Sequence, residues 1–273
     1  MMTYEFSGPA VLFCPANRPD RFDKAVERAD HVILDLEDAV GAADKSTARE
    51  HVSTALTTIN ENLIVRVNAV GTEWHSADIA AVQAASGTTI MLPKVNRPQD
   101  LDGLGGLEVI AICETAAGVL HAAAIADHPS CTGILWGGED LVADLGGRRS
   151  RSTSGLYHGV ALHARHNVLL AAGAAGKPAI DAVHIDIEDT DGLHRESTEA
   201  ADMGFAAKAC IHPKHVASIR SAFADTEEEI SWAITVLEAA AASAGDVFSL
   251  DGRMIDEPIL RHARKILDRN NEG

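Results

Sequence analysis

Eight short apolar runs alternate with helix-forming stretches along most of this chain, and that alternation restricts the fold more than any other feature. The runs lie at 10–16, 31–38, 63–69, 88–95, 107–115, 133–140, 179–186 and 206–212. Each is largely continuous in apolar residues, as strands are when helices cover both faces of a parallel sheet. Helical patterns at 20–29, 44–60, 76–85, 116–126, 155–174 and 197–203 lie between them, with none between the fourth and fifth runs, and one at 213–223 follows the last. Parallel neighbours require a long crossover, so the repeated strand–helix unit predicts an α/β fold, a (β/α)8 TIM barrel. A doubly wound open sheet is the alternative reading of the same pattern. The 273 residues suffice for one such barrel, and with only 4% aromatics Ala, Val, Ile and Leu must fill its core.

The barrel is expected over 1–223 and a C-terminal helical extension over 224–273. In the extension, 227–244 reads as an amphipathic helix and 246–256 as turn-rich. A final helix then carries Pro258 in its first turn. At about fifty residues this tail is too small for a core of its own, so it is expected to pack on the barrel or on a neighbouring subunit.

A net charge of −17 argues against nucleic acid and against anionic membranes as partners. No apolar run nears the ~20 residues that span a bilayer. The first residues lack the basic-then-apolar pattern of a secretion signal. Cys14, Cys113, Cys131 and Cys210 are scattered and mostly within apolar runs, as buried free thiols are. These features together predict a cytoplasmic protein.

Barrel enzymes build their sites at the C-terminal ends of the strands. Those ends carry Asn17 and Arg18, Glu37 and Asp38, Arg66 and Asn68, Lys94, Glu114, Asp140, Asp186 and His212. Glu114 and Asp140 close consecutive strands, so two hard oxygen donors can converge on one divalent cation such as Mg²⁺. The competing reading makes each a helix cap. Arg66 lies inside a strand, where a charge needs a partner. Its planar fork suits a substrate carboxylate or carbonyl oxygen, but a purely structural ion pair also fits. Glu37 and Asp38 either orient waters around a cation or neutralise Arg18 and Arg66. Arg21 and Lys24 sit at helical i,i+3 spacing after the first strand, where they can meet phosphates or remain solvated. The Arg148-Arg149-Ser150-Arg151 run is equally open. Gly103-Leu104-Gly105-Gly106 precedes a strand and is no dinucleotide loop, and His163 and His166 lack the Glu of a zinc hydrolase motif.

The segments Leu12-Phe13-Cys14-Pro15-Ala16-Asn17-Arg18-Pro19, Ile33-Leu34-Asp35-Leu36-Glu37-Asp38, Val65-Arg66-Val67-Asn68, Leu92-Pro93-Lys94-Val95, Glu114-Thr115-Ala116-Ala117-Gly118 and Gly137-Gly138-Glu139-Asp140 resemble those of citrate lyase β-subunit-like proteins. These are grouped with malyl-CoA and citramalyl-CoA lyases in the HpcH/HpaI aldolase superfamily. The resemblance runs in order from about residue 10 to 265. It implies a Mg²⁺-dependent carbon–carbon lyase, commonly a homotrimer, that cleaves a 3-hydroxyacyl-CoA of malyl, citramalyl, citryl or HMG type into an acyl-CoA and a 2-oxo acid or related carbonyl compound.

By that resemblance Glu114 and Asp140 match the metal ligands, and Arg66 matches the arginine at the oxo or carboxylate end. Arg18, Arg21 and Lys24 fall in the region that holds coenzyme A. Asp38, Gly138 and Asp186 join Arg66 and Glu114 in the expected substrate-contacting set. Asp256 matches an acid supplied to a neighbouring subunit and is the expected proton-transfer group, with Glu37 orienting waters. Ala16 departs from the family, where Gly is frequent. Three other readings remain: a Schiff-base aldolase using Lys94, a metal-dependent aldolase acting on free 2-oxo acids, and a carrier-dependent citrate lyase β subunit.

Overall fold

The computed structural model describes residues 3–59, 62–242, 248–250 and 252–271. All eight expected strands form: β1 (Ala10–Pro15), β2 (His31–Asp35), β3 (Leu63–Arg66), β4 (Thr89–Leu92), β5 (Glu108–Cys113), β6 (Cys131–Trp136), β7 (Ala179–Asp181) and β8 (Ala207–Cys210). They close into a barrel in sequence order, with β8 returning beside β1 in parallel. The chain therefore has the TIM-barrel architecture, and the open-sheet alternative is set aside.

Successive strand residues face opposite sides of a sheet. Val11, Ile33, Ile64, Met91, Ile110, Ile112, Leu135, Ile180, Ala207 and Ala209 form the apolar cluster inside the barrel. Continuing the same alternation toward the C-terminal end brings Phe13, Asp35, Arg66, Glu114, Gly137, Ala182 and Ile211 to the mouth. Strand pairing ends one to five residues before the apolar runs do, as at Asp35 against 38 and Asp181 against 186. Leu36, Val67 and Val95 lie past their strands, yet they are at most 1% exposed and their N–H groups still donate to the carbonyls of Arg66, Met91 and Ile112 on the neighbouring strands at 2.8, 3.2 and 3.2 Å.

The helices of this unit are α1 (Phe22–Arg28), α2 (Lys45–Thr58), α3 (His75–Ala84), α4 (Ala116–Leu120), α5 (Ala122–Ala126), α6 (Gly138–Asp144), α7 (Gly159–Ala175), α8 (Thr190–Met203) and α9 (Lys214–Phe223). The single helix expected at 116–126 is two short ones that meet at His121. The helix expected at 197–203 begins seven residues earlier, at Thr190, where Asp189 accepts from the Gly192 N–H at 2.9 Å and caps it. No separate helix is expected from the sequence at α6, because its first residues read there as the end of a strand.

At the opposite end of the barrel His31 is buried. Its Nε2 accepts from the Ser7 N–H at 3.0 Å, and its Nδ1 lies 3.0 Å from the Tyr4 hydroxyl. Burial pushes its pKa from the ordinary 6.5 down to about 4, with Asp30 opposing. The unfolded chain therefore takes up this proton first, so the group costs stability as pH falls from about 6.5 to about 4. Urea midpoints measured across that window should drop in the wild type and drop less in His31→Phe. Identical slopes would remove His31 as the cause.

The chain divides into two compact units, Met1–Ala222 and Phe223–Gly273. The second holds α10 (Glu227–Ala242), a hairpin of β9 (Phe248–Leu250) and β10 (Arg253–Ile255), and α11 (Glu257–Asn271). Thr226 and Glu229 form a reciprocal cap at the start of α10: the Thr226 N–H donates to Glu229 Oε2 at 2.7 Å, and the Glu229 N–H to Thr226 Oγ1 at 3.2 Å. Contrary to expectation, this unit has an apolar cluster of its own, built from Ala233, Val236, Ile255, Leu260, Ala263 and Ile266. Two long amphipathic helices facing each other bury more surface than the length of the tail implies. Positions 243–247, within the expected helix end and turn, lie outside the described residues.

Candidate active site

The mouth of the barrel encloses a cavity of about 340 Å³ lined by residues of all the strand ends except those of β4. Phe13, Leu135, Trp136, Tyr157, Val183 and Ile211 make its apolar wall, and Arg66, Glu114, Asp38 and Asp140 supply charge. Beside it runs a groove lined by Arg21, Lys24, Arg28 and His212, which shares Phe13, Pro15 and Ile211 with the cavity.

Arg66 and Asp35 are register partners on β3 and β2. Arg66 Nε donates to Asp35 Oδ1 at 2.7 Å and Nη2 donates to Oδ2 at 2.6 Å, a bidentate pair. Nη1 lies 3.1 Å from Glu37 Oε2, and the guanidinium stacks over Phe13 at 4.8 Å. The expectation that Glu37 and Asp38 neutralise Arg66 thus holds in part: its main partner is Asp35. Burial opposes the charge on Arg66, but Asp35 and Glu37 more than offset that, and the guanidinium stays protonated. Glu37 is fixed from behind, since Lys45 Nζ donates to the carbonyls of Leu36 and Glu37 at 2.6 and 2.7 Å and to Asn68 Oδ1 at 2.6 Å.

Glu114 follows β5 in the inward phase and is 3% exposed. Its Oε1 accepts from the Lys94 N–H at 3.0 Å. Burial, then the negative charges of Asp140 and Glu37, push its pKa up to about 8 against the pull of Arg66 and Lys94. Asp140 does not end a strand, as the sequence suggested. It lies in the first turn of α6, after Gly137 at the N-cap, where the helix dipole favours a carboxylate. Lys94 Nζ reaches Glu37 Oε1 at 2.6 Å, Asp38 Oδ2 at 3.3 Å and Asp140 Oδ1 at 3.7 Å. Burial lowers the pKa of Lys94, but Glu37, Glu114 and Asp38 outweigh it and hold the ammonium charged, which opposes imine formation.

This donor set fits a hard divalent cation. Glu114 feels net repulsion from Asp140 and Glu37 that Arg66 and Lys94 only partly offset, and Glu37 Oε2 is buried with an ion pair to Arg66 Nη1 but no hydrogen bond. No group of three or more His, Cys, Asp or Glu is placed to hold a metal among the described residues. A cation on Glu114 and Asp140 would therefore take its other ligands from water or substrate, as Mg²⁺ does. Space for the Glu114 carboxylate depends on Gly137, where a Cβ would stand 2.7 Å from Oε2 and 2.8 Å from the Glu114 Cβ. Gly137→Ala should shift that carboxylate and lower kcat/KM by about 100-fold with the far-UV circular dichroism unchanged. Wild-type kinetics in this variant would show that the carboxylate position is immaterial.

The remaining expected residues scatter. Gly138 lines the cavity, and Arg21 and Lys24 line the groove. Arg18 turns outward to Asp20, at 2.9 and 2.7 Å. Asp186 is not brought to the cavity: β7 ends at Asp181, and Asp186 is exposed in the following loop, accepting from the Glu188 N–H at 3.0 Å. Asp256 belongs to the second unit, one residue before α11, with Oδ1 at 3.5 Å from the Ile259 N–H. Arg151 of the arginine run pairs with Glu196 at 2.9 Å and Glu139 at 3.0 Å and lies 4.0 Å over the Tyr157 ring.

Sequence reasoning missed Asp35, whose inward phase on β2 was the available signal. It also missed the ionic cluster on the outer side of β7 and β8. There Asp181 accepts from Lys208 Nζ at 2.8 Å, from Arg165 Nε at 2.9 Å and from Trp136 Nε1 at 2.7 Å.

A closed parallel barrel whose mouth joins clustered carboxylates and an arginine around a cavity defines a TIM-barrel enzyme. The chain belongs to the HpcH/HpaI aldolase/citrate lyase family, which residues 9–213 match. It is 44% identical to a citrate lyase subunit beta-like protein of Mycobacterium tuberculosis, over 100% of this chain and 99% of that one. It is 35% identical to a (3S)-malyl-CoA thioesterase of Cereibacter sphaeroides, covering 94% of this chain and 93% of the relative. The crystal structure of CitE from Mycobacterium tuberculosis in complex with magnesium, acetoacetate and coenzyme A superposes with a TM-score of 0.91 at 44% identity. That match covers 97% of this chain and 98% of that chain.

Proposed function

We propose that the protein is a Mg²⁺-dependent carbon–carbon lyase that reversibly cleaves a 3-hydroxyacyl-CoA into an acyl-CoA and a 2-oxo acid or related carbonyl compound. The observation that carries this reading is Glu114: a buried carboxylate pushed up to about 8 by its burial and by Asp140 and Glu37, in a cavity open to substrate. The relative solved with magnesium, acetoacetate and coenzyme A supports it.

Glu114 and Asp140 hold the cation, which when bound supplies a Lewis acid for the substrate's oxygens. Arg66, oriented by Asp35, stabilises the alkoxide left when the substrate hydroxyl gives its proton to water, and that charge passes to the thioester enolate as the carbon–carbon bond breaks. Glu37 orients water, and Asp38 and Gly138 border the substrate. Arg21 and Lys24, with Arg28, give a net-acidic protein a local basic groove for the phosphates of coenzyme A. Arg18 can join them on leaving Asp20. Asp256 of a neighbouring subunit in a homotrimer transfers the proton at the acyl carbon. The four buried free cysteines fit a reducing cytoplasm, and no helix among the described residues is long and apolar enough to cross a membrane.

The test is a panel of 3-hydroxyacyl-CoA esters incubated with Mg²⁺ and scored by product mass. A new acyl-CoA together with a free carbonyl compound is expected. Free coenzyme A with an intact hydroxy acid would instead establish thioester hydrolysis, the second reading, which the 35% identity to a malyl-CoA thioesterase favours.

A further inference from the structure

Lys94 has no part in that chemistry, yet it occupies the most constrained position in the site. It follows β4 with φ +53°, in the left-handed region that residues other than glycine rarely adopt. Such conformations persist where the surroundings enforce them, and they concentrate at functional sites. Here the turn aims two donors of one residue at the same group of acids. The main-chain N–H donates to Glu114 Oε1 at 3.0 Å, and the ammonium donates to Glu37 Oε1 at 2.6 Å. The ammonium also lies 3.3 Å from Asp38 Oδ2 and 3.7 Å from Asp140 Oδ1. The neighbouring cation Arg66 is committed to Asp35 and shared with Glu37, and no ion pair joins it to Asp38 or Asp140.

We propose that Lys94 is a positioning residue: an internal counter-ion that holds the mouth carboxylates together and weakens the site's intrinsic hold on a divalent cation. The inference rests on the reading of Glu114 and Asp140 as the cation ligands. A cation on Asp140 sits within a few ångströms of the ammonium, and like charges at that range repel strongly. Of the ammonium's three acidic contacts, Asp140 is the longest, so it is the one that yields when a cation arrives, while Glu37 at 2.6 Å keeps its partner. Lys94 thereby keeps the carboxylates in place without letting the bare cation bind so tightly that substrate is not needed to complete its shell.

The experiment is calorimetric titration of the purified protein with MgCl₂ alone, in wild type, Lys94→Met, Lys94→Gln and Lys94→Arg, with thermal melting with and without Mg²⁺. The two neutral variants should bind Mg²⁺ about tenfold more tightly than wild type, as expected from removing one adjacent positive charge. Their melting temperatures should also rise more on saturation. Lys94→Arg should keep wild-type affinity. A lysine that only supports the loop would give looser binding in the neutral variants. Binding by wild type with equal or weaker binding in both neutral variants overturns the role of Lys94 alone. No Mg²⁺ binding by wild type overturns the metal reading, and this inference with it.

Discussion

Glu114→Gln is expected to lower Mg²⁺-dependent turnover about 1000-fold or more while leaving the barrel folded. The amide keeps the size of the side chain and can still accept the Lys94 N–H, so the local packing survives. It cannot supply the anionic oxygen on which cation binding depends. Nor does the fold need the charge, because burial and the acids Asp140 and Glu37 already disfavour the ionised form. Urea unfolding in the absence of metal should therefore give a stability equal to or above that of wild type. A variant that keeps more than about a tenth of wild-type turnover would remove Glu114 from the chemistry. A variant that unfolds would make it structural.

Asp181→Ala has the largest expected effect on stability, a loss of about 3–5 kcal/mol. The carboxylate is 0% exposed, as are the Arg165 and Lys208 side chains that flank it. Burial works against its ionised form, but Lys208 and Arg165 more than compensate, and its pKa falls below the ordinary carboxylate value. Removing it leaves two buried cations with incomplete compensation: Arg165 retains Glu199 at 2.6 Å, and Lys208 retains the Ala182 carbonyl at 2.8 Å and the more distant Glu196 carboxylate at 3.6 Å. Trp136, which lines the cavity, also loses its 2.7 Å acceptor, so activity should fall with stability. A change below about 1 kcal/mol by urea titration would mean the cluster contributes little.

The barrel was legible because strands covered on both faces carry an apolar signal along their whole length, and eight of them alternate with helices. Strand ends were not, because Leu36 and Val95 lie past the strand bounds yet stay buried and hydrogen-bonded to Arg66 and Ile112 of the neighbouring strands. Glu114 stood out as the acid ending a run whose alternate residues Ile110 and Ile112 fill the barrel. Asp140 was legible as a candidate but misplaced, since nothing in its apolar run announces that Gly137 opens a helix. Asp35 was hidden inside its run, and its pairing with Arg66 appears only once β2 and β3 are in register. The same holds for Asp181 and Lys208, register partners on β7 and β8 that are 27 positions apart in the chain. Arg28, one helical turn after Lys24, completes the basic groove on a spacing that was already visible. Asp256 rests on resemblance alone, because its proposed partner site lies on another subunit.

The most direct measurement on the metal site is an anomalous difference map from crystals soaked in Mn²⁺ as a stand-in for Mg²⁺. A peak bridging the carboxylates of Glu114 and Asp140, absent in Glu114→Gln, is the expected result. A peak at other residues, or an unchanged peak in the variant, would contradict the assignment of the cation to this pair.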